Sequence, residues 1–268
     1  IDKTSFIKEW WDNMDSVTLI TRPRRFGKTL TISMLERFFS IQYYNESAIF
    51  EHLDIWKYPE YREIMGTYPA MERGLMTGIT RVSKESIFSD LNNMEVVTTI
   101  SVKYADVYGF TEDEVFSALD EYGLSDIKDK VKRWYDGFLF GNSKDIYNPW
   151  SIINLLDKKQ LGTYWANTST NGLIAKLIQE GDRNIKLLFE TLLKGESIVC
   201  EIDEQIIYNQ LSINDNAIWS LLLASGYLTV VNYIGYGDAK LPENCMPQYE
   251  LKITNYETKL MFNELVKN

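Results

Sequence analysis

Three consecutive residues, Gly27-Lys28-Thr29, carry the clearest chemical signal in this 268-residue chain. They close the string RPRRFGKT over residues 22–29, which matches the second half of the phosphate-binding pattern G-x-x-x-x-G-K-[ST]. Each position has a physical role in that chemistry. Gly27 lets the backbone come close to a phosphate. The amides of Gly27 through Leu30, at a helix N-terminus, attract an anion. Lys28 places a point charge against the β- and γ-phosphates, and Thr29 offers a hydroxyl to Mg²⁺. The first glycine of the pattern falls on Arg22, and Pro23 removes one amide donor. Arg22, Arg24 and Arg25 offer charge in compensation. A solvated basic turn capped by Gly27 has the same spelling.

Such a loop has to be held between a strand and a helix. The run Val17-Thr18-Leu19-Ile20-Thr21 is β-branched and apolar, as a buried strand is. From Lys28 to about Ser40, Leu30, Met34, Leu35 and Phe38 keep helical spacing and are expected inward. Before the strand, TSFIKEWWDNM (4–14) reads as a short amphipathic helix capped by Thr4 or Ser5, with Phe6, Ile7, Trp10, Trp11 and Met14 on its apolar stripe. Residues 41–70 are aromatic and irregular, and 75–80 reads as a second strand. Residues 101–200 read as mostly helical, with periodic segments at 111–122, 125–135, 149–157 and 171–194. The tail reads helix 216–224, strands 227–231 and 249–253, then a helix from Tyr256, an order compatible with a winged-helix-like module.

Other chemistries find less support. The single histidine, His52, reads as a surface or packing residue, and with Cys200 and Cys245 far apart the usual zinc sites are excluded. Glu250-Leu251-Lys252 with Asp238 upstream has the spelling of a nuclease metal strand, but an alternating exposed strand gives it too. The net charge of −10 disfavours a nucleic-acid partner, and residues 227–260 hold four acids against three lysines. The acidity is uneven: residues 1–70 carry 9 bases and 10 acids, so an anion site belongs there. No apolar run approaches a membrane span and no signal peptide opens the chain. The expectation is a cytoplasmic protein, and the missing initiator Met reads as a piece of a longer one.

Taken together, IDKT (1–4), RPRRFGKT (22–29), TGITRVSKESIFS (77–89), WYDGF (134–138), YNPWS (147–151) and YWANTS (164–169) resemble the bacterial AAA-ATPase-like proteins. The resemblance implies an α/β fold: a P-loop NTPase core of ASCE type, a mainly helical lid region and a C-terminal extension. Mapped onto this chain, it gives a truncated core over 1–100, a lid over 101–200 and a small α+β, winged-helix-like part over 201–268. It implies ATP and Mg²⁺ as cofactors, with Lys28 on phosphate and Thr29 on the metal. Arg81 carries over as a sensor of the γ-phosphate, balanced against a helix-start salt bridge.

The chain departs from the family between Pro69 and Leu75, where Ala70-Met71-Glu72-Arg73-Gly74 bridges directly. Members normally carry there the rest of one strand, several helices and the strand with the acidic hydrolysis motif; the PD-(D/E)XK-like nuclease domain that often follows is also absent from these residues. Glu95–Ile100 holds its acid at the wrong end for that motif, and IVCEIDE (198–204) reads as a short edge strand. The expectation is ATP binding without turnover, the rival a non-catalytic interaction module derived from such an ATPase. With only two core strands, 17–21 and 75–80, the sheet should leave an apolar patch and promote self-association, weakest around residues 70–74.

Overall fold

The computed structural model describes residues 1–69, 73–80, 94–166, 172–203, 215–241 and 243–267. Helix α1 (Ser5–Asp12) buries Phe6, Ile7 and Trp10. Thr4 does not cap it: its hydroxyl donates to Asp2 Oδ1 at 2.7 Å and accepts from Ile55 N at 3.1 Å. Met14, expected on the buried stripe, lies beyond the helix and is exposed, with φ 59°.

Strand β1 (Val17–Thr21) is the middle of a three-stranded parallel sheet, between β2 (Gly74–Gly78) and β3 (Met94–Val97). Val17 pairs with Gly74 on one side and Met94 on the other, and Ile20 with Thr77 and Val97. The expected two-strand sheet is thus corrected to three. The third strand comes from the run judged only as a failed acidic motif, because a short apolar run is a buried strand whatever ends it. Helix α2 (Lys28–Phe39) follows the loop after β1 and buries Leu35, Phe38 and Phe39. Three short 3₁₀ turns and helix α3 (Pro59–Ile64) then pack Phe50, Ile55 and Tyr61 into the same core.

The stretch 101–200 is not only helical. Strands β4 (Phe110–Thr111), β5 (Phe138–Phe140) and β6 (Ser143–Tyr147) form an antiparallel sheet among helices α4 (Glu112–Glu121), α5 (Lys128–Tyr135) and α6 (Pro149–Lys158). Thr111 and Glu114 close a capping box on α4. The periodic run 171–194 splits into α7 (Gly172–Glu180) and α8 (Arg183–Lys194), because Asp182 caps the second helix by accepting from Ile185 N at 2.8 Å. Val115, Leu119, Val131, Tyr135, Tyr147, Ile152 and Leu155 make a core of their own there.

The tail places β7 (Ile198–Glu201), β9 (Gln248–Ile253) and β8 (Leu228–Ile234) in an antiparallel sheet with β9 central; α9 (Asp215–Ala224) lies between β7 and β8 in sequence, and α10 (Tyr256–Lys267) follows β9. Its buried side chains, Trp219, Leu222, Leu251 and Phe262, join the core that holds Phe6, Ile20 and Phe38. Among the described residues no helix is long and apolar enough to cross a membrane.

Candidate functional site

The loop between β1 and α2 lines a cleft of about 850 Å³. Gly27 caps α2 in the left-handed region, φ 82° and ψ 9°. A Cβ there meets no atom within 4 Å, so glycine is needed for the backbone turn rather than for clearance in the free protein. The helical ladder starts with Thr31 N donating to Gly27 O at 2.9 Å. The amides of Lys28, Thr29 and Leu30 therefore have no helical acceptor. Leu30 was expected inward, yet it is exposed on the cleft wall, since the first turn of α2 borders the opening rather than the core.

The basic residues of the loop divide sharply. Arg22 is fully buried: its guanidinium donates to the carbonyls of Thr21 (2.9 Å), Thr98 (2.7 Å) and Tyr104 (3.1 Å) and lies 4.7 Å from the Phe140 ring centre. It cannot compensate as a surface contact; it acts from beneath the loop. Desolvation pulls its pKa down to about 10, so it stays charged at neutral pH. Arg24 is turned toward the carbonyls of Trp165 and Ala166, at 3.4 and 3.3 Å, and the faces of Trp165 and Tyr227. Arg25 (φ 66°) is exposed and stacks its guanidinium 4.6 Å from the centre of the Trp150 ring. Lys28 folds back across the loop and donates to the carbonyls of Arg22 (2.9 Å) and Pro23 (2.7 Å). Burial first, and the charge of Arg22 second, bring its pKa down to about 8.

Among the described residues the cleft is lined by five bases, Lys3, Arg24, Arg25, Lys28 and Arg37, against one acid, Asp2. Apolar walls come from Phe26, Met34, Phe50, Val107, Trp150 and Ile153. Lys3 pairs with Glu114 at 2.9 Å and Arg37 with Glu46. Asp2 is also spent: its oxygens accept from Thr4 N, Thr4 Oγ1 and Asp54 N. Among the described lining residues a divalent ion would therefore meet hydroxyl oxygens, those of Thr29 and Ser33, and no free carboxylate. Magnesium sites are ordinarily built on one or two carboxylates plus phosphate and water. This donor set does not fit a metal held by the protein.

The loop is braced from far along the chain. Asn148 Nδ2 and Trp165 Nε1 both donate to Arg24 O, at 3.3 and 3.0 Å. The buried carboxylate of Glu257 in turn accepts from Trp165 N (2.6 Å), Ala166 N (3.3 Å) and Ser151 Oγ (2.8 Å). Gly226 packs so closely on Pro23 that an added Cβ would lie 2.7 Å from its Cγ.

A second constellation has no counterpart in the sequence reading. Glu112, Asp136 and Asp145 bring carboxylate oxygens within 4.8 Å of one another. Lys132 pairs with Glu112 and, at 3.7 Å, with Asp145. Burial, then the neighbouring Asp145, pushes the Asp136 carboxyl up to about 6. The other sequence candidates are dispersed. His52 is exposed; Glu250 accepts from Ser197 Oγ, Lys252 points outward along the pleat, and Asp238 accepts from Lys240 N. Arg81 and the bridge residues Ala70, Met71 and Glu72 lie outside the described residues.

A parallel strand, a left-handed glycine and a helix N-terminus thus border a basic cleft within a mixed α/β fold. The family model for predicted AAA-ATPases matches residues 1–73, the segment that contains this loop. A relative described as an uncharacterized protein in vnfD 5′region, from Azotobacter chroococcum mcd 1, is 27% identical over 194 residues, 71% of this chain and 33% of its own length. The chain thus spans about a third of the length of that relative. No solved structure matches.

Proposed function

We propose that this cleft binds ATP, with the triphosphate on Lys28, Arg25 and the amides of Gly27 through Leu30. On this reading the parallel sheet and α2 are a reduced P-loop core of ASCE type. The observation that carries it is the register of chemistry on structure: Gly27 turns the chain into α2 where three free amides, Lys28 and Arg25 share one cleft. Lys28 now satisfies itself on two carbonyls of its own loop, contacts a phosphate would replace with charge-assisted ones. The AAA-ATPase match over residues 1–73 supports the same reading. Trp150 and the apolar wall around Phe50 and Val107 offer surface to the base and ribose.

Hydrolysis is not part of the proposal, because no free carboxylate among the described lining residues is placed to orient a water. ATP at a hundredfold excess over its dissociation constant stabilises the fold by about 2.7 kcal/mol, roughly 5–10 °C in melting temperature. Lys28→Ala abolishes that shift, and steady-state phosphate release stays at background in both proteins. A wild-type melting curve unmoved by millimolar ATP refutes the binding; robust release lost in Lys28→Ala refutes its non-hydrolytic character.

A second reading, an interaction module that also self-associates, has one specific support. A groove of about 370 Å³ between Trp10, Trp11, Leu35, Phe39, Tyr68 and Leu75 borders the junction at Arg73. Sedimentation that gives a monomer at all concentrations removes self-association.

A further inference from the structure

The charges around the nucleotide loop do not balance, and the imbalance points to the form of ligand the site takes. Of the cations at the cleft, Lys3 and Arg37 are neutralised by Glu114 and Glu46, and Arg24 is committed to carbonyls and rings. Arg25 and Lys28 remain, with Arg22 sealed beneath them. Among the described residues no carboxylate pairs with any of the three. Lys28 lies across the loop on Arg22 O at 2.9 Å, where the charge of Arg22 adds to burial in disfavouring its protonated form. Three like charges gathered without a counterion, two of them largely out of water, destabilise the loop until an anion arrives.

In most triphosphate sites a divalent ion neutralises two of the ligand charges and is itself held by carboxylates. Here the one carboxylate of the described lining, Asp2, is spent on Thr4 and Asp54, and the cations are in surplus. Resting on the ATP reading above, we infer that this cleft binds the triphosphate as the metal-free polyanion, with Arg22, Arg25 and Lys28 supplying the charge that Mg²⁺ supplies elsewhere. Among the described lining residues a metal ion brought in with the ligand would find hydroxyl oxygens but no free carboxylate, and would face three cations. It therefore adds little to affinity. Arg25 makes the direct contact: leaving the Trp150 face, its planar fork meets two phosphate oxygens at once. Arg22 is a positioning charge that touches no ligand.

The test is isothermal titration of the whole chain with ATP, once in excess EDTA and once in excess Mg²⁺, with sodium tripolyphosphate and AMP as further titrants. The expected result is binding in EDTA as tight as in Mg²⁺ or up to about tenfold tighter. Tripolyphosphate should compete and AMP should not. Arg25→Ala, at an exposed position that leaves the fold intact, weakens binding in EDTA by about tenfold or more. It thereby makes Mg²⁺ helpful where it was not. Binding in Mg²⁺ that weakens more than tenfold in EDTA overturns the inference while leaving the ATP reading standing. Wild-type affinity of Arg25→Ala in EDTA overturns the role of Arg25. Absence of binding in both buffers overturns the ATP reading and this inference with it.

Discussion

The loop after β1 and the carboxylate cluster at the base of α4 are both crowds of like charge, and they are settled in opposite ways. At Glu112, Asp136 and Asp145 the chain brings one counterion, Lys132, which reaches Glu112 and Asp145 and leaves a buried oxygen of Asp136 without a partner. At Arg22, Arg25 and Lys28 it brings only carbonyls and aromatic faces, which solvate the cations without cancelling them. The first arrangement has ion pairs of its own; on the ATP reading the second is completed by a ligand. Counting charges would have ranked the two alike. The presence of an internal partner separates them.

The largest expected effect bears on how a buried charge is tolerated when no opposite charge sits on it. Glu257 mirrors Arg22, a carboxylate solvated by amides and a hydroxyl where the arginine is solvated by carbonyls. Glu257→Ala strands those donors and is expected to cost about 3 kcal/mol. That corresponds to roughly 6–12 °C in calorimetric melting temperature. A loss below 2 °C would mean that hydration replaces the carboxylate and that the site is open.

Next comes the pH dependence of the cationic cluster. Lys28 in the free protein loses its proton near pH 8, whereas an anion holds the proton on. ATP affinity should fall by about tenfold between pH 7 and 9. The stability of the free protein should move the other way. The folded pKa lies below the unfolded one, so the unfolded chain binds more protons from about pH 8 to 10.5, and this group favours folding as pH rises through that window. Affinity that is flat to pH 9 contradicts the burial of Lys28.

The smallest effect tests the carboxylate cluster. Asp136 has its folded pKa raised to about 6 from 3.8, so the folded chain holds more protons between those values. Stability from this group is lost as pH rises through that window, and the penalty is complete above it. Asp136→Asn should therefore stabilise the protein at pH 7 by about 1 kcal/mol, after discounting for its partial exposure. The gain should vanish by about pH 4. Equal gains at both pH values would place its origin outside the carboxyl charge.

Much of the first region was readable because its signals are contiguous. VTLIT, RPRRFGKT and the helix after it fall within two dozen residues, and β1, the loop and α2 follow that reading closely. Where periodicity alone was used, it failed at borders. Leu30 has helical spacing but sits in the turn beside the cleft, and Met14 lies past the end of α1. The hairpin β5–β6 is legible in FLFGNSKDIY, where Gly141-Asn142 separates two apolar-bearing runs. The acidic cluster had no such signal. Its members come from a helix start, a helix end and a strand, and only tertiary packing brings them together. The burial of Arg22 was equally hidden, since its carbonyl acceptors at Thr98 and Tyr104 are 76 and 82 positions away.

The bracing of the loop also has a consequence for the order in which the protein is made. Residues 22–28 leave the ribosome well before what fixes them. Arg24 O waits for Asn148, 124 positions on, and for Trp165, 141 positions on. Pro23 waits for Gly226, and Trp165 for the Glu257 carboxylate. A nascent chain that has emerged only as far as α2 carries the full GKT string with none of these supports. The loop is thus made before its supports and sets after them, once synthesis has passed α10.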